Sequence, residues 1–141
     1  MNKKEQVEQL TRYMANFVSY VGKKLPDDVE AKLTELAEKE DSPLSRVIYD
    51  TMKKNQDLAM KLNRPCCQDT GVLQFWVKCG TGFPLIGELE GLLKEAVMLS
   101  TKEAPLRHNS VETFDEYNTG KNVGKGTPTV FWDIVPDSDK C

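Results

Sequence analysis

The sequence has no apolar run long enough to span a bilayer, and its amino terminus lacks the apolar core of a secretory signal. We therefore predict a cytoplasmic protein with no membrane partner. A basic excess is missing too, because the net charge is −3 and Lys and Arg are interspersed with Asp and Glu. Since nucleic-acid binding needs a positively charged face, nucleic acid is not an expected partner.

Metal-binding and disulfide patterns are also scarce. The chain has one His and four cysteines, Cys66, Cys67, Cys79 and Cys141, with no Cys-x-x-Cys pair. One His and scattered thiols do not complete a four-ligand zinc site. In a reducing compartment such cysteines are expected to be thiols, ligands or nucleophiles instead of a disulfide framework.

Three amphipathic helices are predicted in the first 62 residues. Apolar residues recur at three- and four-residue steps over residues 5–22, which include Phe17 and Val21 on the expected inward face. Pro26 with two aspartates starts a second helix, and Ser42 with Pro43 starts a third that continues to about residue 62.

The pattern changes after Pro65. Residues 72–78 and 129–135 are rich in branched and aromatic side chains and predict strands, with a helix between them from Leu85 to about Ser100. Residues 104–126 predict mostly loop, with one helical turn near 111–116. The predicted fold class is α+β, a single domain over residues 1–141. A helical layer (1–62) precedes a small mixed region (63–141) with a partial sheet.

The first candidate site is the turn from Cys66 to Gly71, which also holds Cys67, Gln68 and Asp69. It brings a thiol, an amide and a carboxylate together between a helix and a strand, where catalytic groups are often held. The alternative is a plain turn, because Asp and Gly are common turn residues.

The second candidate is the segment that holds Arg107, His108 and Asn109. Arginine binds a carboxylate through a two-pronged hydrogen bond, and His108 could move protons near neutral pH. The alternative is a solvated loop with an ordinary histidine.

The third candidate, residues 118–127, is rich in Gly, Lys and Asn. It does not fit a P-loop, because three residues instead of four separate Gly120 from Gly124 and a strand follows where a helix should. A turn, or a loop that brings backbone amides near an anion, fits better.

Taken in order, these segments resemble class I fumarases and L(+)-tartrate dehydratase alpha subunits, one family of hydro-lyases. The Cys-Gln-Asp-Thr-Gly string is the most specific part, and Arg-His-Asn and Asn-Thr-Gly-Lys-Asn look closer to the tartrate branch. The resemblance covers nearly the whole chain, and the segments that carry it are residues 25–29, 62–71, 104–109, 114–116, 118–122 and 132–137.

The resemblance implies a 4Fe-4S cluster. Cys67 would be one of its three thiolate ligands, and the other two would come later in the alpha subunit than residue 141. Cys66 occupies a position where a small apolar residue is expected, and Cys79 and Cys141 match no ligand position. The chain by itself is therefore expected to be inactive.

The resemblance also implies roles for the substrate-binding residues. Asp69 would be the acid that passes a proton to the departing hydroxyl, while Gln68 would hydrogen-bond the substrate. Arg107 would hold one carboxylate of the dicarboxylate, and His108 and Asn109 would orient it. The base that takes the carbon-bound proton would come from a beta subunit.

The implied activity is iron–sulfur-dependent dehydration of L(+)-tartrate to oxaloacetate in a hetero-oligomer. One alternative is a class I fumarase alpha subunit acting on malate and fumarate, and another is a non-catalytic remnant or interaction module. A redox-sensing protein that uses Cys66 and Cys67 is a third.

Overall fold

The computed structural model describes residues 1–66, 72–111, 114 and 116–141. The elements, in order, are α1 (Lys3–Val21), α2 (Asp27–Lys39), α3 (Pro43–Leu62), β1 (Gln74–Gly80), α4 (Leu89–Glu103) and β2 (Thr129–Val135). Helices therefore come first and a helix between two strands follows, which confirms the predicted α+β class. Among the described helices none is both long and apolar enough to cross a membrane. That the chain forms one domain stays a prediction.

The helix ends follow from local chemistry. At the start of α1 the Asn2 side chain accepts a hydrogen bond from Glu5 N at 2.9 Å, and the Glu5 carboxylate accepts one from Asn2 N at 2.9 Å. This reciprocal capping box satisfies backbone N–H groups that have no partner within the helix. Helix α3 begins with Pro43 and ends at Leu62, and the next residue, Asn63, has a left-handed φ of 52° that stops the helix.

Helices α1 and α4 pack against each other and contain most of the core. The face of α4 toward α1 is apolar, and the facing side of α1 has small residues that allow close approach. The buried residues are Thr11, Ala15, Val18 and Ser19 of α1 and Leu89, Leu92, Leu93, Ala96, Val97, Ser100 and Thr101 of α4. Arg12 Nη1 also donates to both carboxylate oxygens of Glu103, at 2.7 and 2.8 Å, so an ion pair joins the two helices.

Strands β1 and β2 are parallel and α4 connects them, as a parallel connection requires. The register pairs Gln74 with Thr129 and Gly80 with Val135. On one face the paired rings of Trp76 and Phe131 stack with their centroids 5.2 Å apart.

The structure also corrects details of the sequence prediction. Phe17 and Val21, expected to face inward, are 57% and 52% exposed, because α1 packs through its small residues instead. Helix α4 begins at Leu89 and not at Leu85, since residues 84–88 form turns. The helical turn expected near 111–116 is not seen in the described residues there, where Val111 instead pairs with Asn118 in an antiparallel bridge.

Candidate functional site

The segment that holds Arg107, His108 and Asn109 is anchored to the carboxyl end of α4. Ala104 N donates to Ser100 O at 2.9 Å, and Leu106 N donates to Thr101 O at 3.2 Å. Ala104 is fully buried. The loop of residues 104–109, called the Arg107 loop below, therefore leaves the helix in a fixed direction.

Asn122 holds the backbone of the Arg107 loop from the other side. Its Oδ1 accepts a hydrogen bond from Asn109 N at 2.8 Å, and its Nδ2 donates to Arg107 O at 2.9 Å. The same Nδ2 donates to Thr101 Oγ1 at 3.2 Å, which ties the side chain to α4. Asn122 is 8% exposed and has a φ of 55°, a conformation that Asn tolerates better than most residues. One buried amide thus joins the loop to the core.

Asn118 binds the backbone of the residue between these two, His108. Its Nδ2 donates to His108 O at 2.7 Å, and its Oδ1 accepts from Gly120 N at 2.8 Å. Gly120, with a φ of 69°, makes the turn that passes the His108 ring. Residues 118–122, called the asparagine turn below, therefore bind backbone groups of all three candidate residues of the Arg107 loop. The third candidate segment of the sequence therefore holds the backbone of the second candidate segment in place.

The end of α3 approaches the same region. Cys66 N donates to Gly22 O at 3.0 Å, and Gly22 lies so close to Leu106 that an added Cβ would be 3.1 Å from its Cδ2. Asn63 Nδ2 donates to Glu103 O at 3.0 Å, at the last residue of α4. The chain that leads into the first candidate segment is thus fixed beside the base of the Arg107 loop.

Cys67, Gln68 and Asp69 lie outside the described residues, so their predicted roles stay predictions. What the structure brings together is the chain on the amino side of that segment, the Arg107 loop and the asparagine turn. Each comes from a different part of the sequence, and a site built from separate segments held by hydrogen bonds is typical of binding loops on a rigid scaffold.

The exposed side of the Arg107 loop can recognise an anion. The side chains of Arg107 and His108 are exposed, whereas Asn109 is half-buried. A guanidinium presents donors in a planar fork that matches a carboxylate. Because hydrogen bonds already hold the backbone of this loop, the Arg107 side chain loses less conformational entropy on binding a ligand than it would on a mobile loop.

The described residues do not supply the ligands of an iron–sulfur cluster. The described ranges contain no group of three or more His, Cys, Asp or Glu that could hold a metal ion. Cys79 and Cys141 lie close to each other at the carboxyl end of β1, and neither matches a ligand position in the family pattern.

Comparison with known proteins places the chain in a family of hydro-lyases. The family model described as fumarate hydratase (fumerase) matches residues 11–141. The chain belongs to the fumarate hydratase family, and the reading from the Cys-Gln-Asp-Thr-Gly string is thereby confirmed at the level of the family.

Individual relatives refine this result. The chain is 53% identical over 138 residues to the L(+)-tartrate dehydratase subunit alpha of Escherichia coli K12. The matched region is 98% of this chain and 46% of that protein. The same identity and coverage hold for the subunit of Shigella sonnei. A putative class I fumarate hydratase of Geobacillus stearothermophilus is 30% identical over 125 residues, 88% of this chain and 24% of that protein. The chain thus spans about half the length of the tartrate dehydratase subunits that it matches.

Sequence reasoning missed the residues that position the site. Asn118 and Asn122 were recognised only as part of a glycine-rich segment and of the family resemblance, and no role was predicted for Gly22 or Asn63. The available signal was the spacing of two asparagines around a glycine, since Asn tolerates left-handed backbone and bonds nearby peptide groups. Nothing in the sequence indicates that their partners lie 10 to 15 residues earlier.

Proposed function

We propose that this chain forms the part of an iron–sulfur hydro-lyase alpha subunit that binds the substrate dicarboxylate, with L(+)-tartrate dehydrated to oxaloacetate by the whole enzyme. The observation that carries the proposal is the Arg107 loop, whose peptide groups are held by Asn118 and Asn122. Relatives named as L(+)-tartrate dehydratase subunits, at 53% identity, support tartrate over other hydroxydicarboxylates.

In this proposal Arg107 binds one carboxylate of the substrate, and His108 and Asn109 orient it. The held backbone fixes where the Arg107 side chain begins, and the substrate hydroxyl is proposed to meet Gln68 and Asp69. There Gln68 hydrogen-bonds the substrate and Asp69 gives a proton to the departing hydroxyl, which is otherwise a poor leaving group.

For the cofactor we propose only that Cys67 supplies one of the three thiolates of a 4Fe-4S cluster. The described residues offer no metal-binding cluster, so we assign no further ligand within this chain. A beta subunit would supply the base that removes the carbon-bound proton, in a hetero-oligomer in the cytoplasm. The matched relatives are called alpha subunits, which supports a second kind of subunit.

The second candidate function is that of a class I fumarase, which would interconvert malate and fumarate. The similarity to the putative class I fumarate hydratase of Geobacillus stearothermophilus favours it. The third is an interaction module without activity of its own. The largely exposed apolar faces of α2 and α3 favour that reading, because an unburied apolar face suits contact with another surface.

Dicarboxylate binding can be tested on the chain itself. L-tartrate is titrated into the ¹⁵N-labelled protein, and backbone amide shifts are followed by NMR, with L-malate and succinate as comparisons. The expected result is that shifts concentrate on the Arg107 loop and the asparagine turn. Arg107→Ala should weaken binding roughly 10- to 100-fold, since it removes charge-assisted hydrogen bonds.

Arg46→Ala is the matched control, because Arg46 is also an arginine with an exposed side chain but binds Glu40 O at the start of α3. That variant should bind L-tartrate like the unchanged chain. Shifts that are spread over lysine-rich surfaces, or equal losses in the two variants, would contradict a carboxylate site at Arg107. Tighter binding of L-malate than of L-tartrate would favour the fumarase reading.

A further inference from the structure

Two thiols, those of Cys79 and Cys141, lie together at one end of the sheet. This thiol pair is not part of the proposed dicarboxylate site. Cys79 is the penultimate residue of β1 and is fully buried, whereas Cys141 is exposed and follows the turn after β2. No role for either was found in the family pattern. Their position results from how residues 136–141 return over the end of β1.

Two backbone hydrogen bonds fix that return. Gly80 N donates to Lys140 O at 2.7 Å, and Gly82 N donates to Ser138 O at 2.8 Å. The residue numbers rise in one segment as they fall in the other, so the two segments run in opposite directions. The first bond joins the peptide group between Cys79 and Gly80 to the peptide group between Lys140 and Cys141. The two cysteines therefore flank directly bonded peptide groups.

This arrangement suits a disulfide. In antiparallel backbone, opposed Cα atoms are about 4.5–5.5 Å apart, which falls inside the range of about 4.4–6.8 Å found for disulfide-bonded cysteines. The two thiols lie close enough to interact with each other. No large backbone movement is needed to join them.

Gly80 makes the close crossing possible. A Cβ at this position would lie 2.0 Å from Ser138 O, which no real side chain tolerates. Any larger residue would therefore push the 136–141 segment away from β1 and separate the cysteines. The pairing of Cys79 with Cys141 depends on glycine at the position between the strand and the crossing chain.

We propose that Cys79 and Cys141 form a thiol–disulfide site that reacts with low-molecular-weight disulfides such as oxidised glutathione and fastens residues 136–141 to β1. The Cys141 thiolate, at the exposed residue, attacks one sulfur of the small disulfide, breaks its S–S bond and releases the first thiolate. The Cys79 thiolate then attacks the Cys141 sulfur, which forms the internal disulfide and releases the second thiolate. The two cysteine protons end on the two released thiols, so both cysteines are oxidised and the small disulfide is reduced.

The electrostatics of the pair set the conditions for this reaction. Burial of the sulfur and then the hydrogen bond with Cys79 raise the pKa of Cys141 to about 11. Since the thiolate is the attacking form, exchange is slow near neutral pH, and the reaction is best followed in mildly alkaline buffer.

The test uses the reduced, folded chain, equilibrated without oxygen in glutathione buffers of stepped oxidised-to-reduced ratio. Samples are quenched with acid, free thiols are blocked with N-ethylmaleimide, and the digested peptides are identified by mass spectrometry. The expected product is a cross-linked pair of peptides that contain Cys79 and Cys141. The combined Cys66→Ser and Cys67→Ser variant should give the same midpoint ratio, because those cysteines take no part.

Gly80→Ala tests the geometry, with Gly91→Ala as its control, since an added Cβ at Gly91 meets nothing within 4 Å. Gly80→Ala should lower the equilibrium constant for the cross-link roughly tenfold or more, whereas Gly91→Ala should leave it unchanged. In the chain unfolded in urea, the equilibrium constant for the cross-link should be lowered to a similar extent. A cross-link that forms equally well in urea, a stable glutathione adduct on Cys141 without the cross-link, or a pairing with Cys66 or Cys67 would overturn the proposal.

Discussion

Two pairs of helices in this chain have similar sequence patterns and very different surroundings. Helices α1 and α4 bury Ala15, Val18, Leu92 and Val97 between them, with at most 3% of each residue exposed. In α2 no described residue is buried, and in α3 only Ala59 is. The cleft between α2 and α3 has a volume of about 610 Å³ and polar lining residues such as Lys53 and Asp57.

The apolar stripes of α2 and α3 are as regular as those of the packed pair. Leu44, Val47 and Ile48 recur at helical spacing, yet they are 72%, 61% and 53% exposed. A periodic apolar face predicts that a helix forms and which side prefers to be buried. It does not say which element will cover that side. The amphipathic pattern of a helix and the burial of its apolar face are therefore separate properties.

The largest expected effect comes from truncating a leucine to alanine in each pair of helices. Leu92→Ala should lower the free energy of unfolding by about 2–5 kcal/mol, because it leaves a cavity between α4 and α1. Leu44→Ala should change it by less than about 0.5 kcal/mol, because its side chain is already in water. Urea unfolding followed by circular dichroism measures both. A loss at Leu44 as large as at Leu92, especially one that depends on protein concentration, would show that the α3 face is covered in solution.

A smaller effect is expected from removing an asparagine side chain in each region. Asn122→Ala should cost about 1–3 kcal/mol, because the part-buried Arg107 O and Asn109 N lose their partner. Asn55→Ala on exposed α3 should be neutral or stabilise by a few tenths of a kcal/mol, since Ala favours helix. Hydrogen exchange at the Asn109 amide should also speed up in Asn122→Ala alone. Equal stability of the two variants would mean that the asparagine turn does not hold the Arg107 loop.

The smallest effect concerns pH at the junction of α1 and α2. The hydrogen bond from Lys24 lowers the pKa of Asp27 from its ordinary value of 3.8. The stability from this pair is therefore present above about pH 3.8 and is lost as the pH falls through the lowered pKa of the folded state. Because Asp27 is exposed and α2 is loosely packed, Asp27→Asn should barely change the acid unfolding curve. A clear shift in the acid midpoint would mean that α2 is tied to the core more tightly than its exposure indicates.

Much of the fold could be predicted from the sequence because local signals were strong. Ser42 and Pro43 predicted the start of α3, and the branched run at 129–135 predicted β2 with its observed bounds. The inward face of α1 was predicted in part: Val18 is buried as expected, whereas Phe17 and Val21 are exposed. Small residues such as Ala15 and Ser19 complete that face, and the spacing of large apolar side chains does not indicate them.

The candidate site shows the same limit. The residue types of Arg107, His108 and Asn109 indicated carboxylate binding, but their support depends on contacts with Asn118 and Asn122 that no local pattern reveals. Long-range hydrogen bonds are set by the packing of α1 on α4 and by the turn after the Arg107 loop. The roles of Cys67, Gln68 and Asp69 stay predictions from the resemblance.

The most direct test of the account is a chimera in which this chain replaces the matching amino-terminal 138 residues of the Escherichia coli subunit. The chimera is purified without oxygen with that protein's partner subunit, its iron is reconstituted, and oxaloacetate formation from L-tartrate is assayed. We predict turnover that survives Cys66→Ala and disappears, together with the cluster absorbance, in Cys67→Ala. A chimera that assembles and binds iron but gives no oxaloacetate, or one that tolerates Cys67→Ala, would contradict the assignment of this chain to a tartrate-dehydrating enzyme.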